Sequence, residues 1–91
     1  MEEKHLDIKI FGKVQGVGFR EFIKERAIEF GINGIVRNHE SGYVEIEAEG
    51  EEDSLNQFCQ HCEKGSNWAD VVDMKIKDGK MNSYTSFSVM M

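Results

Sequence analysis

Residues 5–11 alternate between apolar and polar side chains, which is the pattern of a strand with one buried face. The apolar positions are Leu6, Ile8 and Ile10. Residues 12–18 then contain three glycines and are predicted to form a loop, because clustered glycines interrupt regular structure. From Phe19 the apolar residues take the spacing of a helix, which Gly31 is placed to end. The start of the chain therefore predicts a strand, a loop and a helix in succession.

A second series of patterns follows this helix. Residues 34–38 predict a short strand, and residues 43–49 predict a longer one in which apolar and acidic residues alternate strictly. The intervening residues 39–42 predict a hairpin loop. Apolar residues at helical spacing then predict a second helix that Gly65 ends: Leu55, Phe58, Cys59 and Cys62. Two further strands are marked by Val72, Met74 and Ile76, and by Phe87 and Val89.

The order of these elements predicts an α+β fold, β-α-β-β-α-β plus a short terminal strand. Two helices packed on one face of a mainly antiparallel sheet form a two-layer, ferredoxin-like sandwich. At 91 residues the chain is expected to form one domain over residues 1–91. Because this fold hosts many unrelated activities, its function must be argued from particular residues.

Charge and composition narrow the classes of partner. The net charge is −6, with +3 over residues 4–37 and −7 over residues 38–91. An acidic chain is a poor partner for nucleic acid, whereas its basic first half can hold a small anion. The charged N-terminus lacks the apolar centre of a signal peptide, and no apolar run approaches the ~18 residues of a membrane span. We therefore expect a cytoplasmic monomer that binds neither nucleic acid nor membrane.

The segment from Gly12 to Arg20 carries the clearest candidate chemistry. Its glycines let successive backbone N–H groups point into one concavity, which suits an anion. The following helix presents unpaired N–H groups and the positive end of its dipole to the same place. Arg20 lies in the first helical turn, and its guanidinium can bind two phosphoryl oxygens at once. The segment predicts a cradle for a phosphoryl-sized anion; the alternative is a tight turn whose Arg20 pairs with a surface acid.

Two familiar phosphate-binding loops do not fit this segment. A P-loop requires Gly-Lys followed by Ser or Thr, whose hydroxyl binds Mg²⁺. Here Gly18 is followed by Phe19 and Arg20, and the loop contains no Ser or Thr. A Rossmann loop needs a small residue where Glu21 stands. The loop therefore predicts anion binding without an obvious metal ligand.

Two motifs resemble those of the acylphosphatase family. Residues 14–20 read Val-Gln-Gly-Val-Gly-Phe-Arg and match the family's V-Q-G-V-G-F-R loop. Residues 34–38 read Gly-Ile-Val-Arg-Asn, and residues 42–45 read Gly-Tyr-Val-Glu. These resemble the family's G-x-V-R-N motif with a downstream G-x-V-E. The resemblance covers about residues 5–78, so it extends over most of the chain.

The resemblance implies hydrolysis of an acyl phosphate to a carboxylate and inorganic phosphate, with no metal and no cofactor. It implies that the phosphoryl group is held by the backbone amides of Gln15, Gly16, Val17, Gly18, Phe19 and Arg20. The Arg20 guanidinium would bind the same oxygens, and Asn38 would orient the attacking water. These residue types suit the reaction, because phosphoryl transfer needs mainly positioning and charge stabilisation. The carboxylate leaving group needs no general acid at neutral pH.

Several other conspicuous residues are interpreted as structural. Cys59 and Cys62 have C-x-x-C spacing, but they fall mid-helix on its apolar face, so packing in the core is expected rather than redox chemistry. The acidic residues of the strand over residues 43–49 are expected to face solvent, and Trp68 is expected to cover the edge of the core. The three histidines are expected at the surface: His5, His39 and His61.

Two other functions share this order of elements. An RNA-recognition module stacks bases on aromatic residues of its third strand. Tyr43 fits that pattern, but Glu45 occupies the place of the second aromatic residue. An acylphosphatase-like domain also begins larger carbamoyl-transfer proteins, which act on carbamoyl phosphate; the length of the chain favours a free-standing enzyme over such a fragment. The acyl group of the substrate is left open.

Overall fold

Five strands and two helices form in the order that the sequence predicts. The computed structural model describes residues 2–91. Its elements are β1 (Glu3–Lys13), α1 (Phe19–Phe30), β2 (Asn33–Asn38), β3 (Val44–Glu51), α2 (Glu52–Lys64), β4 (Asp70–Gly79) and β5 (Phe87–Val89). None of the helices within residues 2–91 is long and apolar enough to cross a membrane.

The strands form one sheet in the spatial order β4-β1-β3-β2-β5. β1 pairs antiparallel with both β3 and β4, and β2 pairs antiparallel with β3. β2 and β5 run parallel. The two helices pack against the sheet, and the predicted two-layer ferredoxin-like sandwich with a mainly antiparallel sheet is confirmed.

The strict alternation in the central strands decides which side of the sheet the helices cover. Ile8 and Ile10 of β1 pair with Ile46 and Val44 of β3, and all four are buried. They join buried residues of the helices in one hydrophobic core, which include Phe19, Ile23, Ala27, Leu55 and Phe58. We call the other side of the sheet the open face. It carries His5, Asp7 and Lys9 of β1, Asn33, Ile35 and Arg37 of β2, Glu45, Glu47 and Glu49 of β3, and Lys75 and Lys77 of β4.

Strand β1 runs further than the sequence pattern predicts. Gly12 and Lys13 were expected in the loop, but both remain paired with β4 after a register shift between Phe11 and Gly12. Gly12 has φ 129°, and a Cβ there would lie 2.1 Å from the Asp70 carbonyl oxygen. The close approach of β4 therefore explains this glycine, and the irregularity brings the following loop to the end of the sheet.

Three expectations about exposure are wrong. His5 and Glu49 are buried, with 3% and 2% of their surface exposed, whereas Trp68 is 78% exposed. The reason for the first two is the crossover segment, residues 80–86, which connects β4 to β5. Its backbone bonds to Glu49 and so covers one end of the open face. Trp68 lies in the turn before β4 and projects away from the core.

Candidate active site

A small cleft lies where the loop after β1 meets the end of β2. Its volume is about 100 Å³. The lining residues are Val14, Gly16, Gly18, Phe19, Arg20, Glu21, Asn38 and Val89. The cleft thus brings together Arg20 and Asn38, which are 18 positions apart in the sequence and come from the two motifs.

The loop between β1 and α1 turns on two glycines with positive φ. Gly16 has φ 73°, and Gly18 has φ 74° and is the N-cap residue of α1. A side chain at either position would strain this backbone. No side chain caps the helix at Gly18, so N–H groups of the first turn are not satisfied by a cap. A left-handed residue followed by a helix start makes a concavity of N–H donors that favours an anion.

Arg20 is held by the C-terminal end of the chain rather than by an acid. Its Nη1 donates a hydrogen bond to the Met90 carbonyl oxygen at 2.8 Å. Within residues 2–91, none of the ion pairs includes Arg20. The alternative in which Arg20 pairs with a surface acid is therefore wrong. The Met90 contact fixes one edge of the guanidinium at the cleft, and this pre-organises its remaining donors.

Asn38 is the last residue of β2, and its backbone pairs with Val44. Its side-chain oxygen Oδ1 is buried and has no hydrogen-bond partner among residues 2–91. An unpartnered buried acceptor costs free energy and is uncommon in folded proteins. Because Asn38 lines the cleft, a small side-chain rotation would let this acceptor take a hydrogen bond from a molecule bound there.

Gln15 ties the loop to the hairpin that follows β2. Its Nε2 donates to the carbonyl oxygens of His39 and Tyr43, at 2.7 and 2.9 Å. The two motifs of the sequence are thus joined by side chain to backbone, and Asn38 lies one residue before the bridged hairpin. The Gln15 side chain is used in this bridge, so only its backbone amide is free to serve an anion.

The other loop residues differ in what they offer the cleft. The Phe19 side chain is buried in the core and stacks against Phe22, with ring centroids 5.9 Å apart. Val17 is partly buried against the core and does not line the cleft. These two residues can therefore contribute only their backbone amides to a bound anion. Of the six predicted loop residues, Gly16, Gly18, Phe19 and Arg20 line the same cleft as Asn38, and whether the loop binds phosphate remains a prediction.

Sequence reasoning did not find three contributors to the cleft that lie outside the two motifs. Glu21 lines it beside Arg20; its position in the first helical turn could have suggested this, but its charge indicated only a solvated face. Val89 lines the cleft and Met90 bonds Arg20. No sequence signal relates Val89 and Met90 to a loop about 70 positions earlier. They come close to that loop because β5 pairs in parallel with β2.

One group of side chains in residues 2–91 has the spacing of cation ligands, and it lies on the open face rather than at the cleft. The candidate ligand atoms of His5, Asp7 and Glu47 all lie within 4.8 Å of one another. Both ring nitrogens of His5 are already engaged, by Glu49 at 2.7 Å and Asp7 at 2.8 Å. The group is therefore better described as an internal ion-pair cluster.

The two cysteines are not a second reactive centre. Cys59 and Cys62 are free, buried thiols on the core side of α2, as predicted. Burial raises the pKa of Cys59 to about 11, and it raises the pKa of Cys62 well above its ordinary value. Both thiols therefore stay protonated at neutral pH, which removes the thiolate that redox chemistry needs.

Comparisons with known proteins agree on one family. Residues 6–89 match the family model described as Acylphosphatase. An acylphosphatase of Bacillus licheniformis is 42% identical over 83 residues, which are 90% of this chain and 92% of that protein. The crystal structure of acylphosphatase from Bacillus subtilis has a TM-score of 0.94 and 33% identity, covering 99% of this chain and 100% of that one. A full-length HypF in its phosphate- and nucleotide-bound form has a TM-score of 0.93 at 31% identity, but only 12% of its length is covered.

Proposed function

The chain belongs to the acylphosphatase family, and we propose that it hydrolyses acyl phosphates by direct attack of water, without a metal ion. The products are a carboxylate and inorganic phosphate. The observation that carries the proposal is the shared cleft, whose lining includes Gly16, Gly18 and Arg20 together with Asn38, the residue whose buried Oδ1 has no partner among residues 2–91. Such a site can bind an anion at the loop and Arg20 and, next to it, a second small molecule at Asn38.

The phosphoryl group is held in this proposal by the amides of residues 15–20 and by the Arg20 guanidinium. The positive φ of Gly16 and Gly18 and the uncapped start of α1 support this role for the amides. Arg20 contributes a full positive charge and a planar set of donors. Such donors stabilise the charge on the equatorial oxygens most strongly when they are fixed before the reaction begins.

Asn38 orients the attacking water. Its Oδ1 accepts a hydrogen bond from that water, whose oxygen attacks phosphorus from the side opposite the acyl oxygen. A P–O bond forms to the water oxygen, the P–O bond to the acyl group breaks, and its electron pair leaves with the carboxylate. The proton lost by the water passes to a phosphate oxygen or to solvent. No strong general base is required, since the transition state is loose and the barrier is lowered mainly by positioning.

The leaving group explains why a metal ion is not required in this proposal. A departing carboxylate is stable at neutral pH, because its ordinary pKa is near 4. The negative charge that must be neutralised in the transition state therefore lies mainly on the phosphoryl oxygens. In this proposal those oxygens are bound by Arg20 and the N-terminus of α1. Residues 1–91 act here as one catalytic domain, a cytoplasmic monomer that takes a small-molecule substrate and needs no nucleic acid, membrane or cofactor.

A second candidate is the acylphosphatase-like domain of a larger carbamoyl-transfer protein. It is kept because the same fold, at 31% identity, accounts for 12% of the much longer HypF chain. The two candidates share the cleft chemistry and differ in the acyl group, so comparing substrates separates them. Preference for carbamoyl phosphate over simple acyl phosphates would favour the second.

The test is steady-state hydrolysis of acetyl, benzoyl and carbamoyl phosphate by the purified chain, with and without EDTA. We expect inorganic phosphate to be released from an acyl phosphate at a rate that EDTA does not change. A phosphate monoester serves as the control substrate and is expected to react far more slowly, because its alkoxide leaving group needs protonation. Loss of activity in EDTA, restored by Mg²⁺, would contradict the metal-free mechanism.

A further inference from the structure

At the end of the sheet away from the cleft, the open face buries a charged cluster. His5 Nδ1 is 2.7 Å from Glu49 Oε2, and His5 Nε2 is 2.8 Å from Asp7 Oδ1. Burying a carboxylate costs several kcal/mol unless hydrogen bonds and an opposite charge compensate for the lost water. Glu49 has both the hydrogen bonds and, in His5, the opposite charge. Its burial is therefore compensated, and the residue has a structural role in the fold.

The remaining partners of Glu49 are backbone groups of the crossover segment. The Asn82 N–H donates to Oε2 at 2.6 Å, and the Tyr84 N–H donates to Oε1 at 2.9 Å. Ser83 between them has φ 57°, which is uncommon for a residue other than glycine. This left-handed residue turns the two flanking amides towards one carboxylate, in the manner of a backbone nest for an anion. Glu49 therefore holds the crossover segment in a conformation that is otherwise unfavourable.

The held segment leads directly to Arg20. After Tyr84, the Gly34 N–H donates to the Ser86 carbonyl oxygen at 2.8 Å, and β5 then runs parallel to β2. The Met90 N–H donates to the Val36 carbonyl oxygen at 2.8 Å. The Met90 carbonyl oxygen accepts the hydrogen bond from Arg20 Nη1. Tyr84, whose amide bonds to Glu49, and Met90, whose carbonyl oxygen bonds to Arg20, are only six positions apart in the sequence.

β5 is anchored in the core by Phe87, which is buried and packs against Phe58, but its strand pairing is short. It is three residues long and lies at the edge of the sheet, paired only with β2. A short parallel edge strand is a weak element by itself. Its position along β2 therefore depends in part on how the preceding segment is anchored. Glu47 and Asn33 also form hydrogen bonds with Asn82 and Tyr84 of that segment, but the Glu49 carboxylate accepts both of the backbone amides that flank Ser83.

From this chain of contacts we propose that Glu49 is a positioning residue for the active-site arginine, acting through the crossover segment and β5. The proposal rests on the proposed role of Arg20 in phosphoryl binding. Glu49 itself does not touch the substrate. Loss of its carboxylate frees the Asn82 and Tyr84 amides and loosens the crossover segment, so that β5 shifts against β2 and the Met90 carbonyl oxygen moves away from Arg20. The guanidinium then loses its fixed orientation at the cleft.

The central variant is Glu49→Gln, which keeps the shape of the side chain but removes its charge. An amide NH₂ cannot accept the Asn82 and Tyr84 N–H groups as a carboxylate does. We expect kcat/KM to fall, and the inhibition constant of inorganic phosphate to rise, by a common factor of roughly ten; a full 1 Å misplacement can cost ~10². The matched control is Glu45→Gln, the same change on the same face of β3. Glu45 pairs with the exposed Arg37, and within residues 2–91 it forms no side-chain hydrogen bond with the crossover segment, so kinetics close to wild type are expected.

A double-variant cycle separates positioning from general loss of structure. If Glu49 acts through Arg20, Glu49→Gln should cost little further kcat/KM in an Arg20→Lys background, because the group being positioned is already lost. A purely structural effect would lower the free energy of unfolding, and its effect on kcat/KM would multiply with that of Arg20→Lys. All rates are measured under conditions in which urea unfolding curves show that each variant is folded. If Glu49→Gln does not fold, the same cycle is run with Glu49→Asp, which keeps the charge but withdraws it from the two amides.

The orientation of the Arg20 side chain can also be measured without catalysis. The NMR signal of the Arg20 Nε–H group should broaden or shift in Glu49→Gln and stay unchanged in Glu45→Gln. An unchanged Arg20 signal, or full multiplicativity with Arg20→Lys, would overturn the role of Glu49. If Arg20→Lys alone were as active as wild type, the proposed function would fail, while an altered Arg20 signal in Glu49→Gln would still support the structural link.

Discussion

Arg20 and Asn38 face one cleft from different elements, and each carries a different part of the proposed reaction. Arg20 presents charge and several donors to the phosphoryl oxygens, in the ground state and in the transition state. Asn38 is neutral, with one buried acceptor that no side chain or backbone group of residues 2–91 uses. The two roles predict different kinetic signatures for their substitution.

Arg20→Lys keeps the positive charge but loses the planar set of donors. We expect the variant to bind inorganic phosphate more weakly and to lose about 2–4 kcal/mol of transition-state stabilisation in kcat/KM. Asn38→Ala should lower kcat by about 10² and leave the inhibition constant of phosphate nearly unchanged, because only the water is misplaced. The measurement is steady-state hydrolysis of an acyl phosphate, with phosphate inhibition determined for each variant.

An asparagine outside the site provides the control for these variants. Asn67 is exposed in the turn before β4, so Asn67→Ala should retain both wild-type constants. Circular dichroism confirms that each variant is folded. If a folded Asn38→Ala variant kept wild-type kcat, its role in orienting water would have to be given up, although binding of phosphate at Arg20 could stand.

At the scale of elements, α2 shows an apolar stripe that encloses two thiols. The buried residues Leu55, Phe58, Cys59 and Cys62 all lie on its core side, as the spacing predicts. Cys62 is fully buried and Cys59 is 8% exposed. Free cysteine in such a position behaves as a small apolar residue, so the C-x-x-C spacing here follows from helical packing.

The state of these thiols predicts how they react. With the pKa of Cys59 raised to about 11 by burial, an alkylating reagent at about pH 8 should label the folded protein very slowly and the urea-unfolded protein quickly. Cys62→Ser should lower the free energy of unfolding by about 1–3 kcal/mol, since it buries a hydroxyl. Alkylation followed by mass spectrometry and urea unfolding provide the measurements. Rapid labelling under native conditions would contradict the packing described for α2.

For the molecule as a whole, the charged cluster on the open face links stability to pH. Burial alone would lower the pKa of His5, but its hydrogen bonds to Glu49 and Asp7 outweigh burial and raise the pKa above 6.5. Burial alone would raise the pKa of Glu49, but hydrogen bonds from Asn82, His5 and Tyr84 lower it below 4.5. Asp7, Glu47 and Glu49 are the charged groups that face His5.

The directions of these shifts predict the pH range in which the cluster stabilises the fold. A raised pKa for His5 gives stability that is complete below 6.5 and is lost as pH rises through the higher value of the folded state. A lowered pKa for Glu49 gives stability that is present above 4.5 and is lost as pH falls through the lower value of the folded state. The contribution of the cluster should therefore be greatest between about pH 4.5 and 6.5.

The measurement is the free energy of urea unfolding as a function of pH for the wild type and for His5→Gln. We expect the wild type to lose stability as pH rises above 6.5, and the variant to show a flatter dependence because it has no imidazolium to deprotonate. His61→Gln is the control, since it makes the same change at an exposed histidine of α2 that lies outside the charged cluster. Equal slopes in the wild type and His5→Gln would mean that His5 is not charged in the folded protein.

The sequence by itself determined the elements, their order and the position of the loop chemistry. Strict alternation placed the apolar residues of β1 and β3 on one side of the sheet, because side chains of a strand point to opposite faces. Positive-φ glycines are required locally, so a turn before the helix was recognisable at Gly16 and Gly18, whereas the pairing of Gly12 and Lys13 with β4 was not. The same locality explains the boundaries of α1, which begins at Phe19 and ends at Phe30 as predicted.

Tertiary structure alone decided which residues distant in the chain meet. Met90 reaches Arg20, and the crossover segment covers His5 and Glu49, because parallel pairing returns the end of the chain to β2. Alternation assigned Glu49 to the open face correctly but could not say that this end of the face is covered. Burial depends on what packs over a position, whereas periodicity reports only the direction in which a side chain points. For the same reason the charged cluster, and the contacts that lead from it to Arg20, are visible only in the folded molecule.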